Sequence, residues 1–361
     1  MFPKKAPGSI RNMRLGLESR TVPYFRKIVH AAKSVLFIGS PAKGGAFGFL
    51  GLAFLFLAIS CQRAEPPVLK IGINMWPGYE TFYLAEKLGY YKGIDVRVIQ
   101  FPSASEVVRN YRNGAIDFAA LTADETFYLA ESGLSPKIVL VLDESSGADV
   151  LLSKPHIRYL AELKGKRIGA ENGALGAYML TRALDKGGLR PEDIILVPSE
   201  VNQHESIYAQ GKVDAVVTFE PVKTKLLKAD ARLLFSSKEI PGEICDVLVV
   251  RPSFLKAHPK EVAQLLEIHF RALDYLASNP KKASEIIAPR EGVSAEEFLH
   301  SLEGLHIPDK EENRPLLGDK NSSFIRGIRE LAGVMLSKGL LSKPVNVEEM
   351  VESAPIEGGK R

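Results

Sequence analysis

The stretch Asp149-Val150-Leu151-Leu152-Ser153-Lys154-Pro155 returns, little changed, as Asp246-Val247-Leu248-Val249-Val250-Arg251-Pro252. Both read D-V-L-x-x-[K/R]-P. Each is a short apolar, β-branched run closed by Pro, which has no N–H to give a ladder and so ends a buried strand. The two bracket roughly a hundred residues, enough for a lobe of its own. The reading is that the chain leaves one lobe on the first strand and returns on the second. Residues 149–154 and 246–251 are then expected to be a two-strand hinge.

Working outward, strand-like and helix-like segments alternate from Val68 onward. VLKIGIN (68–74), DVRVIQF (95–101), DFAALT (117–122) and KIVLVLD (137–143) read as strands. TFYLAEKLGYY (81–91) and SASEVVRNYRNG (103–114) read as helices, the second opened by a Ser103/Glu106 capping box. RIGAE, GAYMLTRALDKGG, DIILVP, HESIYAQGK, DAVVTFE and PVKTKLLKA repeat the alternation over 167–229. The pattern predicts an α/β protein with mostly parallel sheets flanked by helices. Lobe 1 is expected to be built from 68–150 and 248–361, and lobe 2 from 151–247. The tail of lobe 1 is helical, with a long helix over 259–279 and a Ser294/Glu297 capping box.

The first 61 residues are not part of this pattern. They hold nine Lys or Arg and one acid, Glu18, followed by an uncharged run from 44 to 62. Its apolar centre at 46–59 has the length of a signal-peptide core. Leu57-Ala58-Ile59-Ser60-Cys61 resembles a bacterial lipobox, with Ala58 where Leu is usual. Residues 1–61 are therefore expected to be a lipoprotein leader with lipid on Cys61, and 62–67 a linker. The alternative is an uncleaved anchor, since the uncharged run approaches the roughly 20 residues a spanning helix needs. Either way the globular part is expected on the periplasmic or extracytoplasmic face, tethered to a membrane.

Setting the leader aside turns the net charge of +4 into a net negative one. A nucleic-acid partner needs a basic face on the folded domain, which this charge does not supply. With Cys61 lipidated, Cys245 has no partner for a disulfide. No G-x-S-x-G, H-E-x-x-H, P-loop or post-strand G-x-G-x-x-G occurs, and His204-Glu205 lacks a second His for zinc. No catalytic residue, metal or cofactor is expected, and the protein is expected to be a monomer.

Candidate binding residues lie at turns after strands, where open α/β sheets hold ligands. Trp76 and Tyr79 stand in the first turn, and Trp76 is the only Trp of the chain. The second turn offers Thr122 and Asp124; Thr122 with Glu125 fits a capping box, which leaves Asp124 free to face a ligand. The third, Gly173-Ala174-Leu175-Gly176, lets backbone approach closely before a helix. The fourth offers Glu220, followed by Pro221 as a first helical residue.

These turns also carry a family resemblance, through WPGYETFYLA (76–85), FPSASEVV (101–108), NGAID (113–117), LKGKRIG (163–169) and VVTFEP (216–221). From 68 to about 252 the chain resembles the SsuA/THI5-like (NMT1-type) periplasmic solute-binding proteins. Those serve nitrate, sulfonate and taurine uptake, with thiamine-pyrimidine relatives beside them. The resemblance implies a two-lobed type II periplasmic-binding-protein fold and a small ligand held by the four turns. It also implies delivery to the permease and ATPase of an ABC importer. The ligand is expected to be a small organic molecule, nitrogenous or sulfonate-like; Asp124, Glu171 and Glu220, if they face the cleft, depart from an anion site and favour an amine, amidine or aminopyrimidine. The alternatives are a THI5-like enzyme, although the Cys cluster of those enzymes is absent, and a ligand-sensing receptor without a permease. Trp76→Ala and Glu220→Gln are expected to weaken binding while leaving the folding midpoint nearly unchanged.

Overall fold

The computed structural model describes residues 66–171 and 173–358. The leader with Cys61, and most of the linker, lie outside the described residues. The chain runs through β1 (Val68–Ile73), α1 (Glu80–Lys87), β2 (Asp95–Gln100), α2 (Ala104–Arg112), β3 (Phe118–Thr122), α3 (Ala123–Glu131) and β4 (Lys137–Ser145). It continues through β5 (Val150–Ser153), β6 (Arg167–Ala170), α4 (Ala174–Gly187), β7 (Ile195–Pro198), α5 (Val201–Ala209), β8 (Ala215–Thr218), α6 (Val222–Lys228) and β9 (Arg232–Ser236). After β10 (Cys245–Val250) it is mostly helical: α7 (Pro252–Ala257), α8 (Pro259–Ser278), α9 (Pro280–Glu291) and α10 (Ala295–Leu302). The short β11 (Leu305–His306) then precedes α11 (Lys310–Gly318), α12 (Ser323–Ser337) and α13 (Val347–Met350).

The strands form two sheets, ordered β11-β4-β10-β3-β1-β2 and β7-β6-β8-β5-β9. In each, a parallel run (β2-β1-β3 and β7-β6-β8) is extended by antiparallel strands. In strand direction the sheets are mostly parallel, as expected, with β10 and β5 the reversed strands apart from the two-residue β11. The cause is the D-V-L repeat itself: β5 and β10 each enter a sheet directly after the chain has crossed from the other one, so each lies antiparallel to its neighbours. The crossings fall at 146–149 and 237–244, just ahead of these strands.

The two crossings are bonded to each other. Ser145 Oγ and Ser237 Oγ lie 2.8 Å apart, and Ser237 N–H donates to Asp149 O at 2.9 Å. Gly147 N–H donates to Ser237 Oγ at 2.6 Å. β3, β5, β8 and β10 are buried along their whole length, which is why they read as continuous apolar runs without alternation.

The tail closes over the first sheet. α8 buries Val262, Leu265, Leu266, His269, Ala272 and Leu276, a stripe at helical spacing, and packs on α1. The capping box at the start of α10 is made in both directions, Glu297 N–H to Ser294 Oγ at 3.2 Å and Ser294 N–H to Glu297 Oε2 at 2.6 Å. The one expected at α2 is not. Ser103 occupies the N-cap, but Glu106 pairs with Arg109 at 2.7 Å instead of reaching back. Among the described residues no helix is long and apolar enough to cross a membrane, and Cys245 is a buried free thiol.

Candidate functional site

The turns after β1, β3, β6 and β8 and the starts of β5 and β10 converge on one cavity between the sheets. Its walls include Trp76, Tyr79, Thr122 and Leu175 of the expected residues, and also Glu125, Asp149, Glu171, Phe219 and Asp246. Its volume is about 10 Å3, room for about one water molecule. The molecule is thus closed over the site.

Trp76 is held rather than free. It is 4% exposed, its Nε1–H donates to Asp143 Oδ2 at 3.0 Å, and its ring meets Phe219 edge-on at 5.6 Å and Tyr79 at 6.5 Å. Tyr79 Oη–H donates to Asp246 Oδ1. Gly78, between them, lies so close to the carboxylate that an added Cβ would sit 1.9 Å from Asp143 Oδ2. Only glycine leaves room for that approach.

Carboxylates dominate the wall. Glu125, Asp149, Glu171 and Asp246 line the cavity, with Asp143 behind Trp76 and Asp124 buried nearby. None of the cavity's lining residues is Lys, Arg or His. Burial, the largest cause in every case, pushes these acids upward: Asp143 and Asp149 to about 7, Asp124 to about 6 and Glu171 to about 8. Glu125 and Asp246 also rise well above the carboxylate range. Like charges add to the effect, Asp143 acting on Asp246 and on Asp149, and Glu200 on Glu171. Among the described residues, Asp149 Oδ2 and Glu171 Oε1 have no hydrogen-bond partner. A buried carboxylate in that condition is costly unless a cation or donor reaches it.

The other expected residues are placed differently. Gly173 borders a neighbouring groove that shares Glu125 with the cavity, and Ala174 is the first residue of α4. Gly176 lines a small adjoining space with Glu171 and Asp149; a Cβ there would lie 2.6 Å from the Glu171 carbonyl oxygen. Asp124 is buried but is not among the cavity's lining residues.

Glu220 is fully buried and turned onto its own helix. It accepts from Thr224 N–H and Thr224 Oγ1–H, both at 3.1 Å, and pairs with Lys223 at 2.9 Å. Pro221 is the N-cap of α6 and not its first residue. This geometry reverses the expectation for Glu220→Gln. Losing charge-assisted bonds at a buried cap is expected to cost about 1–3 kcal/mol of stability, read by denaturant unfolding, with ligand affinity within about twofold of wild type.

Sequence reasoning passed over Asp149, Asp246, Glu125 and Phe219. The first two had been read only as strand starts and Glu125 only as a cap, which it also is: its Oε2 accepts the Thr122 N–H at 3.1 Å. A signal for the aspartates was present. Each opens an otherwise apolar strand, and a charge at such a position needs a reason to be there.

The raised acids make the ligand-free protein pH-sensitive. A carboxylate whose folded pKa exceeds its unfolded value of about 4 holds its proton more tightly when folded, so stability falls as pH rises toward the folded value. Asp143, Asp149 and Glu171 place that loss between about 4 and about 8. Buried His204 and His269, lowered by burial to about 4 and about 3, act oppositely, but only below the unfolded His value of about 6.5. The window of about 6.5 to 8 therefore belongs to the carboxylates. The melting temperature of the ligand-free protein is expected to fall across it, and a rise there would show the acids to be compensated.

Two α/β sheets joined by paired crossings around a closed polar cavity define the periplasmic-binding-protein class of fold. Residues 76–283 match the NMT1/THI5-like family model, and the chain belongs to that family. It is 22% identical over 253 residues to a binding protein of Brucella abortus, covering 68% of this chain and 78% of the relative. It is 26% identical over 225 residues to the Saccharomyces cerevisiae 4-amino-5-hydroxymethyl-2-methylpyrimidine phosphate synthase THI13, covering 57% of this chain and 66% of that one. Among solved structures, the alkanesulfonate-binding protein SsuA of Xanthomonas axonopodis pv. citri, bound to MOPS, superposes with a TM-score of 0.68 at 21% identity. The match covers 81% of this chain and 100% of that one.

Proposed function

We propose that this chain is the solute-binding component of an ABC importer and that its ligand is a small nitrogenous base carried in protonated form. The observation behind the ligand class is the wall of the cavity, where four buried acids from both sheets converge with no basic side chain among the lining residues. A sulfonate or nitrate entering there would find no cationic partner among the described lining residues and would hold the acids in their protonated form. An amine, amidine or aminopyrimidine would instead gain charge-assisted hydrogen bonds to Asp149 and Glu171, whose free oxygens await donors.

The mechanism is a population shift between open and closed forms. The cavity has room for about one water molecule, so a ligand enters when the sheets part at the crossings 146–149 and 237–244, and they re-close around it with a wider gap than in the ligand-free form. The ligand then favours closure by touching both sides, Asp149 and Glu171 with the second sheet and Trp76 and Asp246 with the first. These segments are the lobes and hinge in this reading, and Cys61 the tether. The partners are then a permease and an ATPase, and the location is extracytoplasmic.

The yeast relatives named as synthases support a second reading, an enzyme of pyrimidine formation. The binding reading expects an exchangeable organic molecule on the purified protein, whereas an enzyme of that kind would be marked by retained iron. A thermal-shift panel tests the ligand class. Amines, amidines and aminopyrimidines are expected to raise the melting temperature saturably and alkanesulfonates not to; the opposite pattern would refute the cation reading.

A further inference from the structure

The cavity is not the end of the cleft. On the far side of Phe219 lies a second space of about 210 Å3, walled by Met75, Phe101 and Pro102 from the first-sheet side and by Phe219, Pro221 and Val222 from the second, with Gln100, Asn202 and the charged Glu205 and Lys225 also lining it. Phe219 faces both spaces. Its edge-on contact with Trp76, at 5.6 Å and 84°, forms the partition between them. One side of the partition is therefore acidic and small, and the other ring-sized with apolar residues in the majority and Glu205 and Lys225 among the rest: an apolar cavity of about 150 Å3 is enough for benzene.

We infer that this annex receives an apolar, ring-sized substituent of the same ligand whose cationic group sits among the acids, so that the site selects amphipathic bases. The inference rests on the cation reading and adds the second half of the ligand. Both sheets contribute walls, so burying the substituent would favour the closed form together with the head group. A separate groove of about 260 Å3 shares Glu125 with the cavity and carries Arg112, Glu131 and Ser132 beside Val108 and Tyr128. It suits a polar group or water and gives an apolar one little.

The Trp76–Phe219 contact also explains why Phe219 is aromatic at a strand end. Trp76 is pinned by its bond to Asp143, whereas Phe219 meets it only edge-on and moves with the second sheet, so parting the sheets admits a ring and Phe219 then closes against its face.

Calorimetric titration with acetamidine and benzamidine tests this, because the two share a cationic head and differ in the ring. Wild-type protein is expected to bind benzamidine about tenfold or more tightly than acetamidine, the gain expected from burying an aromatic ring. Val222→Trp fills the annex and is expected to bring the ratio of affinities close to one. Pro102→Trp, at the exposed lip, gives the same readout should Val222→Trp not fold. Ser132→Trp, in the separate groove, is expected to keep the wild-type ratio. Equal affinities in the wild type, or a ratio that collapses in Ser132→Trp and survives in Val222→Trp, would overturn the annex and leave the cationic head standing. Failure of the wild type to bind either amidine would overturn both.

Discussion

Asp149→Asn is expected to weaken binding of a cationic ligand by about 30-fold or more, since removing one charge of a buried pair costs about 2–5 kcal/mol. The substitution keeps the shape of the side chain and leaves the backbone bond from Asp149 N–H to Ser145 Oγ in place. Folding and affinity should separate clearly. Without ligand, Asp149 sits 1% exposed near the charges of Asp143 and Asp124, and Lys223 is the one cation among the causes acting on it. Neutralising it is therefore expected to raise the melting temperature at pH 8 and to change it little at pH 5, where the wild-type acid is already protonated. Calorimetry and a pH series of melting curves read the two effects. Intact affinity, or lowered stability at pH 8, would show that Asp149 is compensated by some other group and is no part of the ligand's counter-charge.

Trp76→Ala is the second large effect, and there the structure alters what the sequence suggested. A Trp at a turn looked like an aromatic wall that could be removed without unfolding anything. Its ring is in fact buried against Tyr79 and Phe219, and its N–H is spent on Asp143. Removal leaves a cavity and an acid without its donor. The cavity alone costs about 3–5 kcal/mol, a large share of the 5–15 kcal/mol that holds a typical domain together. Both the unfolding midpoint in denaturant and the affinity are expected to fall. Trp76→Phe, which keeps most of the ring volume but not the donor, is expected to recover much of the stability and leave Asp143 without that bond. A midpoint unchanged in Trp76→Ala would contradict the packing described here.

The architecture was legible because its causes are local. Apolar runs such as Val150–Ser153 ended by Pro155 declare buried strands, and a repeated D-V-L declares that the chain does the same thing twice. The stripe of α8 shows itself through helical spacing, and the box at Ser294 through residue type. The expected capping box at Ser103 failed because Glu106 found Arg109 on its own helix, a competition that spacing alone does not decide.

The site was legible in outline only. Of the residues expected at turns after strands, Trp76, Tyr79, Thr122 and Leu175 line the cavity. Which acids face it is a property of tertiary burial and not of sequence position. Glu220 and Asp149 both stand where a strand meets a turn. Glu220 satisfies itself on Thr224 and Lys223, whereas Asp149 keeps an oxygen without a partner. Nothing in the neighbouring residues separates the two. Of the three acids from which a basic ligand was expected, only Glu171 lines the cavity, and the acidic wall is completed by Glu125, Asp149 and Asp246.

The most direct measurement is mass spectrometry of the small molecule released when the purified protein is denatured. A nitrogenous base, protonated at neutral pH and carrying an apolar group, is the expected finding. Release of a sulfonate, or of any other anion without a basic nitrogen, would contradict it.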